Sequence, residues 1–247
     1  MRFQFLHYNV IVTIVTLCFT ISFMNYSNNI NTLTIGVDTL PQNGQNPLLQ
    51  KWTGPYGGVP PFDQVQVAHF KPALEAAMAE NLREVQQIAD NKDAPTFDNT
   101  IAAMERAGRT LARVQTVYGI WSSTMNTPDF QTVEREMAPR LAAFSDQITQ
   151  NEPLFRRIEA VYTAPEKARL TPEQQRLAWL YYNNFVRAGA KLDTAAKARL
   201  SQINQQLAGL YTRFSQNVLA DENNEYLVLK NEKDLAGLPQ SVRDAAA

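Results

Sequence analysis

Residues 95–108 read PTFDNTIAAMERAG, and this stretch predicts the start of an amphipathic helix. Thr96 is placed to accept a hydrogen bond from one of the first backbone N–H groups, which have no partner inside a helix. Asp98 and Asn99 follow in the first turn, where the helix dipole favours negative charge and further capping. We interpret Asp98 as part of this helix start, because no basic residue or histidine stands beside it to support acid–base chemistry.

Apolar residues recur every three or four positions from Phe62 nearly to the end of the chain, which predicts an all-α fold. Thr127, Asn151, Thr171 and Asp193 mark further helix starts. The predicted helices run from Phe62 to about Asp90, from Phe97 to Trp121, from Pro128 to Ile148, from Pro153 to Tyr162, from Pro172 to Gly189 and from Asp193 to Val218. Pro139 predicts a kink or a break in the third of them.

The pattern changes after residue 221. Tyr226–Leu229 is short, apolar and β-prone, which predicts a strand. Gly237, Leu238 and Pro239 predict a turn, after which another helix begins and the chain stops without a cap. This ending is typical of a truncated domain. Whether such a truncation is biological or an annotation artefact does not follow from these residues.

The N-terminal segment differs in composition from the rest. Residues 1–24 hold an apolar run, Val10–Met24, which is shorter than the roughly 20 residues of a membrane span and closer to a signal-peptide core. A signal peptide, an uncleaved anchor and a wrongly assigned start remain open, since no small-x-small cleavage site follows and no alanine precedes Ala68. The first two predict the periplasm or cell envelope, and the third predicts the cytoplasm. Residues 25–61 form an irregular Asn-, Pro- and Gly-rich linker, and residues 62–247 form the helical domain.

Composition excludes several classes of protein. A net charge of −1 gives no electrostatic reason to expect a nucleic-acid partner. The single cysteine, Cys18, allows no disulfide within the chain. The two histidines, His7 and His69, do not form a His-Glu-x-x-His motif, and catalytic zinc normally needs three protein ligands. We therefore predict no metal site in this chain.

Several phrases together resemble the N-terminal part of the zinc metallopeptidases of the thimet oligopeptidase family, in particular its bacterial peptidyl-dipeptidases. Each phrase alone is a modest signal, but they occur in family order from about Asn46 to the last residue. They are HFKPALEAAM (69–78), APTFDNTIAAMERAG (94–108), MAPRLAAFSDQI (137–148), PLFRRIEAVY (153–162), LDTAAKARLSQINQQLAGLYTRFSQNVLAD (192–221) and DLAGLP (234–239).

The resemblance implies a neurolysin-like fold of two helical lobes with a deep channel between them. In that family, zinc on a His-Glu-x-x-His helix activates water, and the peptidyl-dipeptidases release dipeptides from the C-terminus of oligopeptides. No catalytic or metal-binding residue carries over, because that motif is absent from this sequence. The chain is thus expected to be a monomeric wall of the channel that is inactive and zinc-free alone. The alternative is an envelope-associated helical binding or scaffold protein derived from the same lobe.

A few residues invite a functional interpretation. His69 is interpreted as a helix-start residue, since it has no second ligand at helical spacing. The aromatic side chains could line a peptide channel, but their regular apolar spacing favours core packing. These are Trp121, Trp179, Tyr181 and Tyr182. Asn217 resembles a family position and is interpreted as a residue that caps or bridges helices.

Overall fold

Short polar side chains begin the helices at the predicted positions. The computed structural model describes residues 46–55, 58–229 and 231–245. Thr96 Oγ1 accepts the backbone N–H of Asn99 at 3.1 Å, and Asn99 Oδ1 accepts the N–H of Thr96 at 2.8 Å. Caps at Thr127, Asn151, Thr171 and Asp193 begin later helices in the same way. The capping predictions are therefore confirmed.

The described chain is helical, and the all-α prediction is confirmed. The α-helices in chain order are α1 (Val67–Ala89), α2 (Ala102–Arg106), α3 (Arg109–Thr124), α4 (Pro128–Thr149), α5 (Glu152–Thr163), α6 (Pro172–Arg187), α7 (Thr194–Asn224) and α8 (Gln240–Ala245). A π-helical turn, Phe97–Ile101, leads into α2, and 3-10 turns occupy Pro165–Arg169 and Glu232–Leu235. None of the described helices is both long enough and apolar enough to cross a membrane.

The first half of α1 packs into one of two apolar clusters. Phe70 is fully buried there, and its ring lies 5.1 Å from that of Phe130 on α4 and 5.4 Å from that of Trp121 on α3. Leu48 joins the same cluster from the irregular segment before α1 and is 1% exposed. The contact with Phe130 is edge-to-face, and contacts of this kind add to the free energy gained from burial alone.

The second half of α1 packs into the other cluster. Val85 and Ala89 meet Leu154 and Ile158 of α5, together with Phe185 of α6. Since one continuous helix contributes to both clusters, α1 holds the two groups of helices together. Its length of 23 residues is what allows it to do so.

Three boundary predictions are corrected. The first helix begins at Val67 rather than Phe62, because the His69 ring accepts the backbone N–H of Gln66 at 3.0 Å and starts the helix there. The second helix is divided at Gly108, whose φ of 73° is left-handed and favours glycine. The third is not broken at Pro139, which lies within α4, while the alternative of a kink there stays a prediction.

The predicted strand at Tyr226–Leu229 is also corrected. Within the described residues this segment forms no named strand, although Val228 has β-bridge geometry. A short apolar segment becomes a strand only where a partner supplies a ladder of hydrogen bonds. The apolar run at residues 1–24 and the linker up to residue 45 lie outside the described residues.

The Thr96 cap gives a direct test of this local structure. Thr96→Ala is expected to lower the free energy of unfolding by about 1 kcal/mol, because the Asn99 N–H loses its acceptor. Thr96→Ser keeps the hydroxyl and is the control. Urea unfolding of the two variants measures the difference, and equal stability would show that the cap contributes nothing.

Candidate interface on helix α7

The contact between α4 and α7 is polar at both ends. At one end Gln216 of α7 is 9% exposed, and its amide nitrogen donates to Glu134 Oε2 and to the carbonyl of Gln131, at 3.1 and 3.0 Å. Arg135 donates to the amide oxygen of Gln216 at 2.8 Å. Both ends of this side-chain amide are thus satisfied, which fixes its orientation.

Glu134 stands at the centre of this network and is 7% exposed. From α3 and the residues after it, Ser122 Oγ donates to Oε1 at 2.5 Å and Asn126 Nδ2 donates to Oε2 at 3.1 Å. Burial, followed by the negative charge of Glu134, raises the pKa of Tyr118 far above its usual range. The carboxylate therefore connects α3, α4 and α7 through hydrogen bonds, with no cation bonded to it among the described residues.

At the other end of the α4–α7 contact, fewer of the buried polar atoms have a hydrogen-bond partner. Asp146 of α4 is 2% exposed, and its Oδ2 accepts the hydroxyl of Ser201 at 3.1 Å. Burial raises the pKa of the Asp146 carboxyl to about 9, against the opposing effect of the Ser201 hydrogen bond. Asp146 Oδ1 and both side-chain polar atoms of the buried Gln150 have no hydrogen-bond partner among the residues that the structure describes.

The apolar face of α7 points away from α4. We call Ile203, Leu207, Leu210, Phe214 and Val218 the outer stripe; they recur every three or four residues. The exposed fractions are 40% for Leu207, 52% for Leu210 and 65% for Phe214. At 3.6 residues per turn the stripe lies roughly opposite the row that contains Ser201 and Gln216.

This arrangement is the reverse of that in an ordinary surface helix. Such a helix turns its apolar face to the core and its polar face to water. Full burial of a leucine or phenylalanine side chain contributes about 1.5–3 kcal/mol, and the outer stripe leaves much of that free energy unused. A contiguous apolar face of this kind marks an interaction surface.

The aromatic side chains singled out in the sequence do not form one site. Trp121 is 5% exposed in the first apolar cluster, so the core interpretation is confirmed for it. Tyr181 and Tyr182 pack against the second cluster. The Tyr181 hydroxyl donates to Glu105 at 2.6 Å, while the Tyr182 ring stacks on Tyr162 at 4.4 Å. Trp179 is half-buried beneath the Arg176 guanidinium, 4.2 Å away.

The polar candidates also occupy structural positions. His69 uses its Nδ1 atom in the start of α1, which agrees with the helix-start interpretation. Asp98 is exposed in the π-helical turn, and its backbone carbonyl accepts a bond from Arg106 at 3.0 Å. Asn217 is exposed on α7, next to the buried Gln216. The described residues do not bring these three side chains together.

Among residues 46–55, 58–229 and 231–245, no three His, Cys, Asp or Glu side chains come close enough together to hold a metal ion. These residues therefore do not fit a zinc centre. A shallow groove of about 320 Å³ between α1 and α2 is lined by Glu84, Asn99 and Arg106, but Glu84 is already engaged by the Gly108 N–H at 2.7 Å.

The residues that matter most at the interface were missed by the sequence interpretation. Asp146, Gln216 and Glu134 look like ordinary solvated residues in a helical pattern. Gln216 follows Thr212 by four positions, so the two share one side of α7. This spacing of polar residues is the signal in the sequence that indicates a second, polar face on the helix.

The described residues form an all-helical segment in which buried polar side chains join one helix to another. The chain is 35% identical over 195 residues to the dipeptidyl carboxypeptidase of Escherichia coli, and 33% identical over 202 residues to that of Salmonella typhimurium. The oligopeptidase A of Haemophilus influenzae is 26% identical over 201 residues. These matches confirm the resemblance to the thimet oligopeptidase family that the sequence phrases predicted.

The extent of these matches is asymmetric. They cover 79%, 82% and 81% of this chain but only 28%, 30% and 29% of the three relatives. The chain thus spans less than a third of the length of the curated relatives it matches. No family model matches the chain.

Proposed function

We propose that this chain forms the helical wall segment of an oligopeptide-cleaving peptidase of the dipeptidyl carboxypeptidase type. The observation that supports this most strongly is the 35% identity to the Escherichia coli dipeptidyl carboxypeptidase across 79% of the chain. The helices position one another through Glu134 and the two apolar clusters, and they contribute shape to the substrate channel. The catalytic groups belong to the part of the enzyme that the match does not cover.

This proposal assigns the zinc ion to residues outside the chain. Zinc supplies a polarised carbonyl and an activated water in such enzymes. The substrates proposed for the whole enzyme are oligopeptides that release C-terminal dipeptides. The isolated chain is expected to bind no zinc stoichiometrically and to leave a blocked peptide intact.

A segment exchange tests the proposed function. The stretch of the Escherichia coli enzyme that matches this chain is replaced by the corresponding 195 residues, and dipeptide release from a blocked peptide is measured. We expect the chimera to be active, because the helical wall retains its packing. The same enzyme with the stretch deleted is the control and is expected to be inactive.

Two results would contradict the proposal. A folded chimera with no more activity than the deletion control shows that this chain cannot act as the wall segment. Hydrolysis of the peptide by the isolated chain, stopped by a chelator, shows instead that the chain carries its own catalytic centre.

A further inference from the structure

The outer stripe of α7 combines exposure with a fixed orientation. Leu210 and Phe214 are more than half exposed, although they lie on the same helix as the buried Gln216. Gln216 and Ser201 bond to opposite ends of α4, which prevents α7 from rotating its apolar side inward. The stripe is therefore held outward by the polar contact and stays available to another surface.

We propose that the outer stripe is the docking surface for the portion of the peptidase that this chain does not contain. The proposal rests on the proposed function. Nearly three quarters of the Escherichia coli relative lies outside the matched stretch, which is enough polypeptide to cover a helix face. A 31-residue helix is about 45 Å long and presents one continuous edge to such a neighbour.

The charges on α7 favour a protein partner over a lipid surface. Amphipathic helices that bind membranes carry many Lys and Arg residues on their polar face. On α7, Lys197, Arg199 and Arg213 are offset by Asp221 and Glu222. The apolar stripe therefore faces an apolar protein surface, in which leucine and phenylalanine side chains pack as in a core.

Matched double variants separate the stripe from the rest of the helix. L210K with F214K places two charges in the stripe, while Q202K with Q206K places two charges at exposed polar positions on the same helix. In the isolated chain both pairs are expected to keep the original melting temperature, because all four residues are exposed. A much lower melting temperature for the stripe pair alone would overturn the proposal, since the stripe would then belong to this chain's own core.

The active chimera then tests docking. The stripe pair is expected to lower its dipeptide release at least about tenfold, as loss of central apolar anchors does at interfaces, while the control pair leaves it unchanged. Equal activity of the two pairs overturns the docking inference and leaves the proposed function standing.

If the unmodified chimera is inactive, the proposed function fails and a capture experiment decides the docking inference. The tagged chain is co-expressed with the Escherichia coli enzyme lacking the matched stretch. Capture by the original chain but not by the stripe pair supports docking. Capture of the enzyme by the stripe pair as well as by the control pair overturns the docking inference, and so does a failure of the original chain to capture it. The isolated chain could instead form a dimer that the stripe pair abolishes. If it does so and captures no enzyme, the docking inference is overturned, and the occupant of the outer stripe is a second copy of the chain.

Discussion

Asp146→Asn is expected to make the protein more stable at pH 8. The original chain should lose stability as the pH rises from about 4 to about 9, and the substitution is expected to remove most of that loss. The Asp146 carboxyl is 2% exposed, and burial raises its pKa from 3.8 to about 9. Across that window the folded chain keeps a proton that the unfolded chain releases. Stability therefore falls with rising pH by up to about 1.4 kcal/mol per pH unit from this group.

The sign of this effect distinguishes Asp146 from an ordinary acidic residue. A carboxylate that is paired in the folded state has a lowered pKa and stabilises the protein as the pH rises. Asp146 instead has the Ser201 hydroxyl as its hydrogen-bond donor, and its Oδ1 is left without a partner among the described residues. Lys197 lies one turn before Ser201 on the same side of α7, and within the described residues it makes no ion pair with Asp146.

The substitution is conservative at this position. An asparagine oxygen can still accept the Ser201 hydroxyl, and the side chain carries no charge at any pH. The control is Asp63→Asn, because Asp63 is exposed in the segment before α1. Urea unfolding at pH 4, 6 and 8 gives the slope for each variant. A slope for Asp146→Asn equal to that of the original chain would show that this carboxyl ionises normally in the folded state.

The helices and their starts followed from the sequence because caps act locally. The Thr96 hydroxyl reaches the N–H of Asn99 whatever the rest of the chain does, so the short motif carries the information. Gly108 shows the limit of such patterns. The apolar period runs through residues 97–121 without interruption, whereas the left-handed φ of Gly108 ends one helix and starts another.

The candidate interface could be predicted only in part. The period of Leu207, Leu210 and Phe214 gives one apolar face on α7, but a period does not say what that face meets. The natural expectation is that it packs into the core of the same chain. The structure turns it outward because Ser201 and Gln216 form the contact with α4. Those hydrogen bonds depend on residues more than 50 positions away, which a local pattern cannot register.

Arg156 and Arg157 show the same limit on a smaller scale. The two are adjacent and alike in the sequence, yet Arg157 is 7% exposed while the side chain of Arg156 is 69% exposed. Arg157 follows Leu154 by three positions and precedes Val161 by four, so it shares the buried side of α5. The helical phase distinguishes them, although basic composition does not.

Arg157→Ala is expected to lower the free energy of unfolding by about 3 kcal/mol or more, since hydrogen bonds to a buried charge contribute about 1.5–3 kcal/mol each. One guanidinium nitrogen donates to the carbonyls of Asn91 and Asp93, at 2.8 and 2.9 Å. The other donates to Asn99 Oδ1 at 2.9 Å. Without these three hydrogen bonds, the carbonyls of Asn91 and Asp93 and the side chain of Asn99 lose their link to α5.

Arg156→Ala is the matched control, because it removes the neighbouring guanidinium from an exposed ion pair with Glu152. Such a pair contributes little, and the expected change is within about 0.5 kcal/mol. Arg157→Met keeps most of the apolar stem but none of the donors, so a loss close to that of Arg157→Ala assigns the effect to the hydrogen bonds. Hydrogen exchange at residues 91–99 provides a local measurement, and faster exchange is expected there in both Arg157 variants. Equal stability of Arg157→Ala and Arg156→Ala would contradict this account, because the hydrogen bonds of the buried guanidinium would then contribute no more to stability than the exposed ion pair does.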